Sequence, residues 1–138
     1  MANGYKGEKK ITLYDIDYKM VINMGTISEF QSETGSDFMH IGMKAINAFY
    51  KSRTMTNPLE RAEAMTEAVS VEHAAWLFYI CAKEGNPHVE FGEIQEALIL
   101  EGALENGKNI TYPILFVSLV EYAITGVVDD VKKKRSQK

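Results

Sequence analysis

The sequence predicts a mainly α fold (α+β), with a short N-terminal β-hairpin followed by about six helices packed around an apolar central helix. Three observations lead there. The 10 glycines and 3 prolines in 138 residues are too few for a loop-rich β architecture. Cap residues followed by helical periodicity recur along most of the chain. Every residue from Ala74 to Ala82 is apolar, and at 100° per residue such a run has no solvent face, so neighbouring elements must enclose it. A hydrophobic content of 46% in 15.5 kDa fits one domain with one core. The expected division is a frayed start over residues 1–10, a single domain over 11–128 and a basic, disordered tail over 129–138.

The elements follow in order. Ile11, Leu13, Tyr18, Met20 and Ile22 alternate with polar neighbours around a turn at Asp15-Ile16-Asp17, the period-two pattern of a hairpin. Thr26 with Glu29 has capping-box spacing and Gly35 stands where a helix ends, giving a short helix over Ile27 to Thr34 with Ile27 and Phe30 inward. Ser36 or Asp37 caps a second helix to about Ser52, and Asn57-Pro58 opens a modest, polar third. Ser70 caps the central helix, Val71 to Glu84, which Gly85-Asn86-Pro87 terminates. Two more run from about Gly92 to Asn106, stopped by Gly107, and from about Pro113 to Val127.

Charge narrows the function classes. The net charge is −4, but Lys132, Lys133, Lys134, Arg135 and Lys138 leave ten positive against nineteen negative charges before them, so the body carries −9 and the tail is basic. An acidic body repels phosphate backbones, and five tail charges give only weak, steeply salt-dependent binding, so nucleic acid is not an expected partner. Met1 to Lys10 has no apolar segment of signal-peptide type, which implies the cytosol. The most lipid-like stretch, Ile110 to Val128, is interrupted by Pro113, Ser118, Glu121 and Thr125, and a carboxylate mid-span costs ~2.5–3.5 kcal/mol, so no membrane span is expected.

Recognisable catalytic chemistry is missing. His40, His73 and His88 lie in three separate segments without ligand spacing, and the single cysteine, Cys81, sits inside the all-apolar run, where it fills core. Glu90, Glu93, Glu96, Glu101 and Glu105 read as the solvated side of a helix. No nucleophile elbow, phosphate loop or dinucleotide fingerprint is present. The expectation is no enzyme, no cofactor and no metal.

Apolar surface, by contrast, is in surplus. In the second helix Phe38, Ile41, Ala45 and Phe49 form one stripe, Met39, Met43 and Tyr50 a second beside it, and His40, Lys44, Asn47 and Lys51 the polar face. Either further helices of the chain pack on the second stripe, or Met39, Met43 and Tyr50 form an adaptable partner surface, since methionine repacks around varied ligands. The last helix has a polar wedge of only roughly 60°, at Ser118, Glu121 and Thr125, which points to self-association through Leu115, Leu119 and Tyr122.

Two segments carry a family resemblance. Asn23-Met24-Gly25-Thr26-Ile27-Ser28-Glu29-Phe30-Gln31-Ser32-Glu33-Thr34-Gly35-Ser36-Asp37-Phe38, following the hairpin, resembles the opening of tail assembly chaperones from long-tailed (siphovirus-type) bacteriophages. Ala74 to Pro87 is similar to that family's central apolar helix with its Gly-x-Pro closure. The resemblance implies a non-enzymatic protein that binds the tape measure protein, keeps it soluble, delivers it to the tail tube protein, forms homo-oligomers and is absent from the mature virion. It also implies a longer frameshifted product, for which the Lys132-Lys133-Lys134 codons are a candidate slippery site. The competing class is a structural virion component, in head–tail joining or associated with the tail tube, which would use the same apolar surplus for permanent packing.

Overall fold

The computed structural model describes residues 7–103 and 111–136. Strands β1 (Glu8–Leu13) and β2 (Ile16–Val21) form an antiparallel hairpin, followed by helices α1 (Met24–Thr34), α2 (Phe38–Ser52), α3 (Pro58–Ala68), α4 (Val71–Gly85), α5 (Phe91–Ala103) and α6 (Thr111–Ser136). The predicted architecture is therefore the one observed.

The hairpin pairs Ile11 with Tyr18 and Leu13 with Ile16, and its turn is Tyr14-Asp15, both left-handed at φ 46° and 67°. That two-residue turn matches the strand twist, so the turn lies one residue earlier than the Asp15-Ile16-Asp17 expectation and Ile16 belongs to β2. Glu8 to Lys10 are strand rather than frayed end, because Lys9 and Lys10 pair with Met20 and Lys19. Ile11, Leu13, Tyr18, Met20 and Ile22 all point into the core, as the alternation required.

Helix α1 starts a turn before the expected residue. Asn23 is the cap: its side chain accepts from the Thr26 N–H while the Thr26 hydroxyl accepts from the Asn23 N–H, so the box is Asn23/Thr26 and not Thr26/Glu29. Gly35 ends the helix in the left-handed conformation, as read. Asn57 and Ser70 cap α3 and α4 as predicted, and of the two candidates Ser36 and Asp37 it is Asp37 that caps α2.

Helix α4 is the centre of the molecule, packed against β2, α1, α5 and α6. Ala74, Ala75, Leu77, Phe78, Ile80, Cys81 and Ala82 are buried, whereas Trp76 and Tyr79 are half covered and cluster with Phe91 of α5. Gly85 is the last residue of α4 rather than a stop beyond it, and its reason is tertiary: a Cβ there would lie 2.4 Å from the Lys19 backbone oxygen. The Asn86 amide then donates to that same oxygen and to Ala82 O, fastening the end of α4 to β2.

Helix α6 covers the other side. Tyr112 anchors its first turn by donating to the Val69 carbonyl at 2.9 Å, and Phe116, Val117, Leu119, Val120 and Ala123 are buried. The helix does not stop near Val127 but continues to Ser136, so residues 129–136 of the expected disordered tail have helical backbone. Lysine and arginine are good helix formers and sit favourably at a helix C-terminus, where Lys133, Lys134 and Arg135 stand. The expected stop of α5 at Gly107, and Glu105 with it, lie outside the described residues. No described helix is long and apolar enough to cross a membrane.

Candidate partner-binding surface

The second stripe of α2 is uncovered. Met39, Met43 and Tyr50 retain 48%, 52% and 50% of their accessible surface, while Phe38, Ile41 and Ala45 on the neighbouring arc are buried. The division follows from α2's position: its inner arc packs on α3, α6 and α1, and no other described element reaches over the methionines. His40, Lys44, Asn47 and Lys51 are exposed on the far side of the stripe, as the helical spacing predicted.

At Met39 the stripe opens into a groove of about 260 Å³ lined by Met24, Ile27, Ser28 and Gln31 of α1, Phe38 and Met39 of α2, and Ala123 and Ile124 of α6. The lining is largely apolar, and Met24 at its rim is 62% exposed. Gln31 is held in place by accepting the Phe38 N–H at 3.0 Å, which bridges the α1–α2 corner. The sequence places Ile27 inward; α1 and α2 are neighbours along the chain but α6 joins them from far along it, and no single helical period shows their meeting.

Two contacts set the spacing of α2 and α6. Gly42 faces Val120, where a Cβ would come within 2.7 Å of Val120 Cγ1, so the glycine permits a close helix crossing. At the other end the Tyr50 hydroxyl donates to a Glu121 carboxylate oxygen at 3.1 Å, and the Arg53 guanidinium lies over the Phe49 and Tyr50 rings. The Tyr50 ring is thereby held as a firm edge, while Met39 and Met43 remain adaptable.

The predicted self-association residues fare differently. Leu119 is fully buried between α6 and the core, so it offers nothing to a second copy, and the expectation is corrected on that point. The Leu119 side of α6 faces the chain's own core, because α6 packs on α2, α3, α4 and α5 together. Leu115 and Tyr122 are partly buried, and Tyr122 donates its hydroxyl to the Glu8 carbonyl with Lys9 over its ring.

The groups read as chemically inert occupy ordinary places. Cys81 is in the core, where burial raises its thiol above the usual range. His73 packs on Phe30 and lies 3.5 Å from the Ser36 hydroxyl, while His40 and His88 are exposed. Glu90, Glu93 and Glu96 are exposed on α5 and its approach, with Glu93 accepting the Tyr18 hydroxyl. Among the described residues no group of three or more His, Cys, Asp or Glu side chains is arranged to hold a metal ion. Comparison of the chain with models of protein families, with curated proteins and with solved structures gave no match.

Proposed function

We propose that this chain is a non-enzymatic chaperone of phage tail assembly, which binds apolar helix surface of the tape measure protein and keeps it soluble until the tail tube protein takes over. The observation that carries the reading is the uncovered stripe of Met39, Met43 and Tyr50, continuous at Met39 with the α1–α2–α6 groove. An apolar surface built of methionines and left open by the chain's own fold is suited to transient cover of another protein's helices. The resemblance of segments 23–38 and 74–87 to the tail assembly chaperones supports the tape measure protein as that partner. On this reading the protein acts in the host cytoplasm, associates with copies of itself, and leaves before the virion is complete.

The experiment is co-expression with a tape measure protein of a long-tailed phage, followed by analysis of assembled particles. The reading expects the tape measure protein to shift into the soluble fraction and the chain to be absent from purified virions. Stoichiometric retention in virions would make it a structural component instead.

A further inference from the structure

The surface also specifies what kind of segment it takes. At 100° per residue, Met39, Met43, Ile46 and Tyr50 share an arc of about 60° on α2, and His40, Asn47, Lys51 and Lys44 fill the next exposed arc of about 60°. The stripe runs about 16 Å from Met39 to Tyr50, about three helical turns of an incoming helix. On its inner side lies α6, with Glu121 already engaged by Tyr50. On its outer side the charge is positive, in a body whose net charge before the tail is negative. Three other lysines are matched within the chain, Lys10 with Asp17, Lys19 with Glu8 and Lys83 with Glu29, while Lys9 lies over the Tyr122 ring. Among the described residues Lys44 and Lys51 meet no carboxylate. Asp37, the nearest acid along α2, caps the Met39 N–H.

We propose that this face receives an amphipathic α-helix of another protein that seats one large apolar side chain in the groove between α1, α2 and α6, lays its apolar stripe along Met39, Met43 and Tyr50, and carries acidic residues on the flank facing His40, Lys44 and Lys51. The inference rests on reading this face as the partner surface and adds the partner's pattern. The groove supplies affinity through an anchor side chain, and the lysine flank supplies selectivity and a salt-dependent on-rate. A helix with lysines on that flank would meet like charge at two positions and is the one this surface rejects.

The test uses the full chain and three fluorescent synthetic helices of roughly 18 residues, long enough to span the stripe. One has leucines at i, i+4, i+7 and i+11 with glutamates on one flank; the second carries lysines at those flank positions; the third keeps the glutamates but has serines for leucines. Anisotropy at about 50 mM salt is expected to show the glutamate-flanked helix binding about tenfold or more tighter than the lysine-flanked one, with the gap closing near 300 mM. The serine helix should not bind. Lys44→Glu with Lys51→Glu, at exposed positions, should reverse the preference, and Ser28→Trp, which blocks the groove from the exposed side of α1, should weaken both leucine helices. Equal affinities for the two flanks, a preference that survives the charge reversal, or indifference to Ser28→Trp in a variant with unchanged circular dichroism would overturn the proposal. The peptides contain no tape-measure sequence, so a lost flank preference leaves the chaperone reading standing, and failed co-purification leaves the surface chemistry standing.

Discussion

Substituting Gly42 by alanine tests the α2–α6 crossing that builds the groove wall. An ideal Cβ at Gly42 would sit 2.7 Å from Val120 Cγ1 and 3.8 Å from Val120 Cβ and Cγ2. Carbon atoms in contact prefer ~3.5–4.0 Å, so the overlap is about 1 Å against a single methyl group. That methyl cannot swing away easily, because valine in a helix has one strongly preferred rotamer and Val120 is fully buried. The helices must separate, at a cost of ~1–3 kcal/mol, partly offset by the ~1 kcal/mol that alanine gains over glycine in a helix. The net expectation is a loss of up to ~2 kcal/mol. Val120→Ala removes the clashing methyl and alone costs ~2 kcal/mol, from two buried carbons at ~0.8 kcal/mol each plus a residual cavity. In that background the Gly42→Ala methyl enters the vacated space, and the same substitution becomes stabilising by ~1 kcal/mol. Urea titrations of the four proteins, followed by the fluorescence of Trp76 and by circular dichroism, read this as a change of sign in the midpoint shift at constant slope. An equal effect of Gly42→Ala in both backgrounds would refute the close crossing.

Asp15→Gly should stabilise the fold by ~0.5–1 kcal/mol, read from the urea midpoint, because Asp15 holds a left-handed φ at the second turn position, where glycine is at ease. Stability should be level from about pH 6 to 8 and fall above about pH 9. Burial holds the Cys81 thiol above its usual range; burial, then the Glu93 hydrogen bond, does so for the Tyr18 phenol; the Glu29 hydrogen bond does so for the Lys83 ammonium. Each group keeps its proton in the folded chain at a pH where the unfolded chain has lost it, so the folded state binds more protons and unfolding becomes easier as pH rises; a urea midpoint unchanged to about pH 11 would refute this. The Cys81 thiol should react with a thiol reagent only as fast as the protein opens, at least tenfold slower than in denaturant at the same pH, and prompt labelling of the native chain would show that the α4 core is open.

The parts legible in the sequence were those that local chemistry decides. Asp37, Asn57, Ser70 and Gly35 fixed helix ends because caps act through the backbone within a turn, and the α2 spacing separated Phe38 and Ile41 from Met39 and Met43 because one helix's arcs depend only on its own residues. Where two elements meet, the reading fell short. Gly85 looked like a helix stop but is needed by the passing Lys19 carbonyl, and Leu119 looked free but is covered from several sides. The turn was displaced by one residue because Tyr14, unlike Asp15, is not a typical left-handed residue, and hairpin register prevailed over turn preference. The groove needs Met24, Met39 and Ile124 at once, a juxtaposition that only the α2–α6 crossing creates.

The most direct test of the partner surface is co-purification of the tape measure protein with the tagged wild-type chain and with the Met39→Asp, Met43→Asp double variant, both sites half exposed so that the fold survives the change. An interface that must desolvate two new carboxylates loses several kcal/mol, on the order of a hundredfold or more in affinity. The account predicts that the wild-type chain retains the tape measure protein in soluble form and that the double variant, with an unchanged circular dichroism spectrum and urea midpoint, releases it. Equal retention by both chains would contradict the assignment of the binding surface to the α2 stripe.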